Sequence, residues 1–159
     1  MREVREMEGK TGFIIAATCV LLLSVAAESA GRMMGGMGGG GWGMGGAYGR
    51  MYDSAAVETI SGEVVEVGQV IPVMGMSPGV HLTIRGVAGD MISVHLGPAW
   101  FIENQDVIIA PGDMIEVKGS RVMFDGQPAL IAREVSRGDD ILRLRDGNGY
   151  PVWSGWRRR

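Results

Sequence analysis

Apolar and polar residues alternate most regularly in VHLTIRGVAGDMISVHL, from Val80 to Leu96. Val80, Leu82 and Ile84 take every second position, and after a short break so do Ile92, Val94 and Leu96. Period-two alternation on both sides of a glycine-containing break predicts a β-hairpin. A three-residue loop, Val87-Ala88-Gly89, sets Leu82 opposite Val94 and Ile84 opposite Ile92, and it places Gly89 where a left-handed residue is needed. A two-residue loop would face each apolar residue with a polar one. A one-residue slip turns a whole face over, so burial selects the first register. In that register His81 lies opposite His95, and these are the only histidines in the chain.

The flanking patterns extend the same architecture. Glu58 to Val70 is rich in β-branched residues, and its alternation breaks at Val64-Val65, which predicts a long first strand bent by a bulge. Ile71 to Gly79 holds two prolines and predicts a loop. Pro98 opens a short helix or helical turn over Ala99-Trp100-Phe101-Ile102, with Trp100 and Phe101 plugging one end of the core. Asp113 to Phe124 and Pro128 to Val135 predict a second hairpin around Asp125-Gly126, whose register the alternation leaves open. Ile141 to Trp153 predicts a small hairpin or arm, with Leu142 and Leu144 facing the domain and Arg143 and Arg145 facing water. The order strand, hairpin, helical turn, hairpin is that of an all-β, five-stranded, OB-fold-like Greek-key barrel, with an open sandwich as the alternative.

Upstream, Thr11 to Ala27 is uncharged and apolar. A helix of that length reaches about 26 Å, short of the roughly 30 Å hydrocarbon core. Small residues at Ser24, Ala26 and Ala27 fit a signal-peptidase site, so residues 1–27 are expected to be a signal peptide, or else an uncleaved N-terminal anchor. Three acids offset the three bases ahead of the run, and a start at Met7 would leave a more typical leader. The expected location is periplasmic or secreted, with membrane contact only through that segment if it is retained. The sole cysteine, Cys19, lies inside the run, so a cleaved chain has no disulfide and no thiolate chemistry. Residues 31–52 are half glycine, and residues 28–56 are expected to form a flexible Gly/Met-rich tether. The barrel is expected over 57–138 and the arm with its basic tail over 139–159.

A net charge of −3 and a sequence pI near 5.4 argue against a nucleic-acid partner. The runs GEVVEVG, GDMIEVKGSRV and GQPALIAREV resemble those of small secreted bacterial OB-fold proteins of the stress-tolerance type. The chain is also similar, more weakly, to periplasmic copper chaperones built on the same barrel. The first resemblance implies a non-enzymatic binding role for a small ligand or envelope protein. The second implies metal held by His, Met and Trp.

If Leu82, Ile84, Ile92 and Val94 turn inward, then His81, Thr83, Arg85, Met91, Ser93 and His95 share the outer face of the hairpin, a usual ligand surface on this fold. Thr83, Arg85, Met91 and Ser93 are the candidate ligand-binding residues. Directly opposed Cβ atoms lie about 4.5–5.5 Å apart, close enough for His81 and His95 to share a copper or zinc ion, with Met91, a carboxylate or a tether methionine completing the set. The plainer alternative is a solvated polar face. Acid is expected to weaken the hairpin through repulsion between the two imidazolium ions. No catalytic constellation stands out. Ser93 and His95 share a face, but no strained turn or oxyanion donor accompanies them. Three functions follow: a binding module, a metal-handling protein, or an adaptor subunit docking through its tether and its Trp/Arg tail.

Overall fold

The computed structural model describes residues 41–155. Six strands form one sheet: β1 (Val57–Val70), β2 (Gly79–Gly86), β3 (Met91–Pro98), β4 (Met114–Phe124), β5 (Gln127–Arg137) and β6 (Asp140–Arg143). One helical turn, α1 (Ala99–Ile102), follows β3, and short 3-10 turns lie at Gly49–Met51 and Val152–Gly155. The strand order is β3-β2-β1-β4-β5-β6, and β3 also pairs with β5. That last pairing is parallel, Ser93 to Ala129 through His95 to Ile131, and it closes β1, β2, β3, β5 and β4 into a ring. The remaining pairings are antiparallel. The all-β class read from the alternation is the class of the structure.

The first hairpin has the predicted register from His81 to Arg85; beyond it Val80 pairs with Gly97, which leaves Leu96 over in a bulge. Leu82 faces Val94, Ile84 faces Ile92, and His81 faces His95. The Gly86 amide bonds the Asp90 carbonyl around the three-residue loop, and Gly89 sits at φ 85°. The bulge predicted in β1 is present. Val64 pairs with Ile84 but Glu66 with Thr83, leaving Val65 over. The bend hands the strand from β4, paired over Val57–Glu63, to β2, paired over Gly62–Val70. The second hairpin turns on Asp125 and Gly126, both at positive φ, so its loop has two residues. Alternation alone leaves its register open because of another bulge: Lys118 pairs with Glu134 but Gly119 with Ala132, so Arg133 is extra and the inward phase changes partway along β5.

Leu82, Ile84, Val94, Val117, Leu130 and Ala132 are fully buried at the centre of the core. Phe101 of α1 is buried with them, whereas Trp100 is only half-buried against the core. The stretch expected as a tether behaves differently in its described part. Trp42 and Tyr48 are 0% and 1% exposed, and both belong to the core cluster. Gly79 explains how: a Cβ built there would lie 2.2 Å from the Trp42 ring, so the indole occupies space that only glycine leaves open. Residues 1–40, with the expected signal, Cys19 and the start of the tether, lie outside the described residues, as does the basic tail from Trp156.

The C-terminal arm follows the prediction at Leu142 and Leu144, both buried, and at exposed Arg143. It departs from it at Arg145, which is 4% exposed. The amides of Leu144 and Arg145 both bond the Arg133 carbonyl. That double bond to one acceptor breaks the alternation and turns Arg145 inward.

Candidate functional site

Two places on this fold have the makings of a site: the histidine pair on the outside of β2–β3, and a cavity at the mouth of the ring. The histidine pair forms as the register requires, with ring centroids 6.4 Å apart and the planes nearly perpendicular. Its surroundings are not the solvated face expected. His95 is only 2% exposed. The Tyr48 hydroxyl and His95 Nδ1 are 2.9 Å apart and share one hydrogen, whose direction the imidazole's tautomer sets. Phe124 meets the same imidazole edge-on at 4.6 Å. The His81 ring lies over Gly68, where a Cβ would come within 2.6 Å of it, and its Nδ1 is buried without a hydrogen-bond partner.

Burial, and after it the facing His81, push His95 down to about 4, so this imidazole is neutral near pH 7. Burial likewise holds the Tyr48 phenol far above its ordinary range, with Arg145 pulling the other way. A neutral imidazole is the form that ligates metal. The pair supplies two nitrogens, one of them already engaged by Tyr48. Among the described residues no group of three or more His, Cys, Asp or Glu stands ready to complete a coordination sphere.

The four residues read as ligand-binding lie nearer the tip of the hairpin. Thr83 and Ser93 face one another, half-buried. Arg85 is exposed and pairs with Glu63 at 3.4 Å, and exposed Met91 faces it across the hairpin. The structure brings these four onto one ribbon, and none of them lines the cavity at the mouth of the ring.

The cavity, about 450 Å³, lies elsewhere. Val80, Leu82, Leu96 and Ile102 line it from the core side, Val67 to Gln69 of β1 from a second, and the 105–109 stretch of the α1–β4 loop from a third. Sequence reasoning missed it because it arises where β1 leaves β4 and the loop runs past. The signal available was the β1 bulge itself, which implies a gap where the strand changes partner.

Arg145 was also missed. Its guanidinium lies 4.8 Å from the Tyr52 ring and 5.5 Å from the Trp153 ring. Its Nη1 donates to the Gly149 carbonyl at 3.0 Å and approaches the Met44 sulfur at 3.6 Å. Burial lowers its pKa while the two tyrosines oppose that. The aromatic faces stabilise the cation in place of a carboxylate. With the Trp153 Nε1 donating to the Trp42 carbonyl at 3.1 Å, the arm and residues 42–52 lock onto each other and the sheet. Trp42, Tyr48 and Trp153 are therefore committed to this chain's own surface rather than offered to a partner. No helix of the described residues is long and apolar enough to cross a membrane.

No curated protein matches the chain. The family model that does match is neither of the two families the sequence resembles. It runs over residues 56–142, from the residue before β1 into β6, more than half of the 159 residues. The chain belongs to the MamS/MamX magnetosome protein family.

Proposed function

We propose that this chain is a non-enzymatic OB-fold binding module of the cell envelope, working in association with the magnetosome. The family match over residues 56–142 carries the reading, because the matched span is nearly the whole sheet. The ring of five strands with one helical turn between β3 and β4 supports the OB-fold assignment. The apolar run at Thr11–Ala27 supports export to the periplasm. A cavity lined mainly by aliphatic side chains gives the module a place to take up an apolar group. Fractionation of magnetosome-forming cells that express the tagged chain tests the proposal. Enrichment with magnetosome membranes is the expected result. Recovery in the soluble cytosolic fraction would overturn it.

A second reading, copper or zinc held by His81 and His95, is favoured by their direct opposition across the hairpin. Titrating Cu(I) and Zn(II) into the wild type and the His81→Ala, His95→Ala double variant tests it. Equal affinities remove this site.

A further inference from the structure

We propose that the gap beside β1 is a docking slot for an extended segment of a partner protein, one that alternates apolar and basic residues. The proposal rests on the binding-module reading and gives that module a site and a class of partner.

The first observation is a strand edge. β1 pairs with β4 only as far as Glu63, and Val64 closes that side through its bonds to Asp113 and Gly112. From Glu66 to Val70 the strand pairs with β2 alone, and among the described residues no strand pairs with its other edge. An unpaired edge is a template for one more strand. Five residues in extended form cover about 16 Å, the length of one short recognition segment.

The second observation is what lies across the gap. Val107 and Ile109 of the α1–β4 loop line the far side of the cavity. Arg137 holds this wall: its guanidinium donates to the Ile108 carbonyl and pairs with Asp113 and Asp140. The wall is thus fixed at a distance from β1 instead of collapsing onto it. An inserted strand places every second side chain on one face, so apolar residues at alternate positions enter the cavity while their neighbours stay at the rim.

The third observation is charge. Glu103 lines the cavity and Asp106 lies between the lining residues Gln105 and Val107; both are exposed, and neither has an ion-pair partner among the described residues. Arg137, the cation bonded to the far wall, is already matched by two carboxylates. The rim therefore presents net negative charge, which selects basic residues at the positions between the apolar ones.

The test uses the full chain and two synthetic peptides with blocked ends: one alternating lysine and valine over seven residues, the other alternating glutamate and valine. The lysine peptide is expected to bind at least tenfold more tightly and to protect the Glu66–Val70 amides from hydrogen exchange. Combining Glu103→Lys and Asp106→Lys, both at exposed positions, is expected to reverse the preference with the unfolding midpoint little changed. A wild type that binds neither peptide, a preference unmoved by the double variant, or protection of β6 instead of β1 each overturns the proposal. Binding to neutral phosphatidylcholine vesicles without binding to the lysine peptide also overturns it, because the apolar rim would then be a membrane contact. None of these outcomes bears on magnetosome fractionation, so the slot can fail while the module reading stands.

Discussion

At the scale of single residues, this protein depends on rings laid over glycines. Trp42 fills the space beside Gly79, His81 that beside Gly68, Trp153 that beside Gly97, and Tyr52 that beside Gly149. A methyl group at Gly79 would meet both the Trp42 ring and, at 2.8 Å, the Gly97 carbonyl, which cannot swing away. Gly79→Ala should therefore cost about 1–3 kcal/mol by overpacking, read as a lower midpoint in urea together with a red-shifted tryptophan emission. His95 makes a second prediction at this scale. Above pH 6.5 its imidazole is neutral in the folded and unfolded chain alike. Between 6.5 and about 4 only the unfolded chain takes up the proton, so stability falls with acid, by up to about 3 kcal/mol, and levels off below. His95→Gln should flatten that part of the stability–pH curve, whatever it does to the level at pH 7. The acid sensitivity read from the sequence has the same sign, but its leading cause is burial of one ring, with repulsion between two second.

At the scale of elements, what was legible depended on whether alternation ran unbroken. The β2–β3 hairpin could be registered from His81 to Arg85, because Leu82, Ile84, Ile92 and Val94 agree on one face and Gly89 marks the loop; the alternation gave no sign of the bulge at Leu96, where Val80 pairs with Gly97 instead. The β4–β5 hairpin could not, because Arg133 shifts the phase partway along a strand and no loop length aligns both halves. The turn itself was readable, and Gly126 at φ 75° makes it testable. Gly126→Ala should cost about 1–2 kcal/mol through left-handed strain, while Asp125→Asn, which tolerates φ 50°, should be nearly neutral. Compositional reasoning failed at the N-terminal segment. Glycine content predicts mobility only when nothing anchors the chain, and here Trp42 lies over Gly79 while Tyr48 packs against His95 and Phe124, all on strands distant in sequence. A chain beginning at Val57 should consequently lose stability. Trp42→Ala alone removes a fully buried indole, at a cost of about 3–5 kcal/mol. A truncation that melts like the full chain would refute this account of the segment.

At the scale of the whole molecule, the ring is closed by a parallel seam of only three residue pairs between β3 and β5. His95 stands in that seam, and Tyr48 from the N-terminal segment covers it. Trp153 from the C-terminal arm in turn donates to Trp42, and Arg145 lies between rings drawn from both extensions. The two ends of the described chain thus bolt the ring where its own strand pairing is shortest. Such an arrangement couples the aromatic cover to the sheet, so neither should melt without the other. Thermal unfolding followed by tryptophan fluorescence, which reports the cover, and by far-UV circular dichroism, which reports the strands, should give coincident curves. Arg145→Leu should shift both curves down together, because it removes the cation shared by Tyr52 and Trp153 without removing bulk. A fluorescence transition that precedes the loss of strand signal by several degrees would mean that the cover is only laid on a self-sufficient ring, and the seam would then have to hold by its three residue pairs alone.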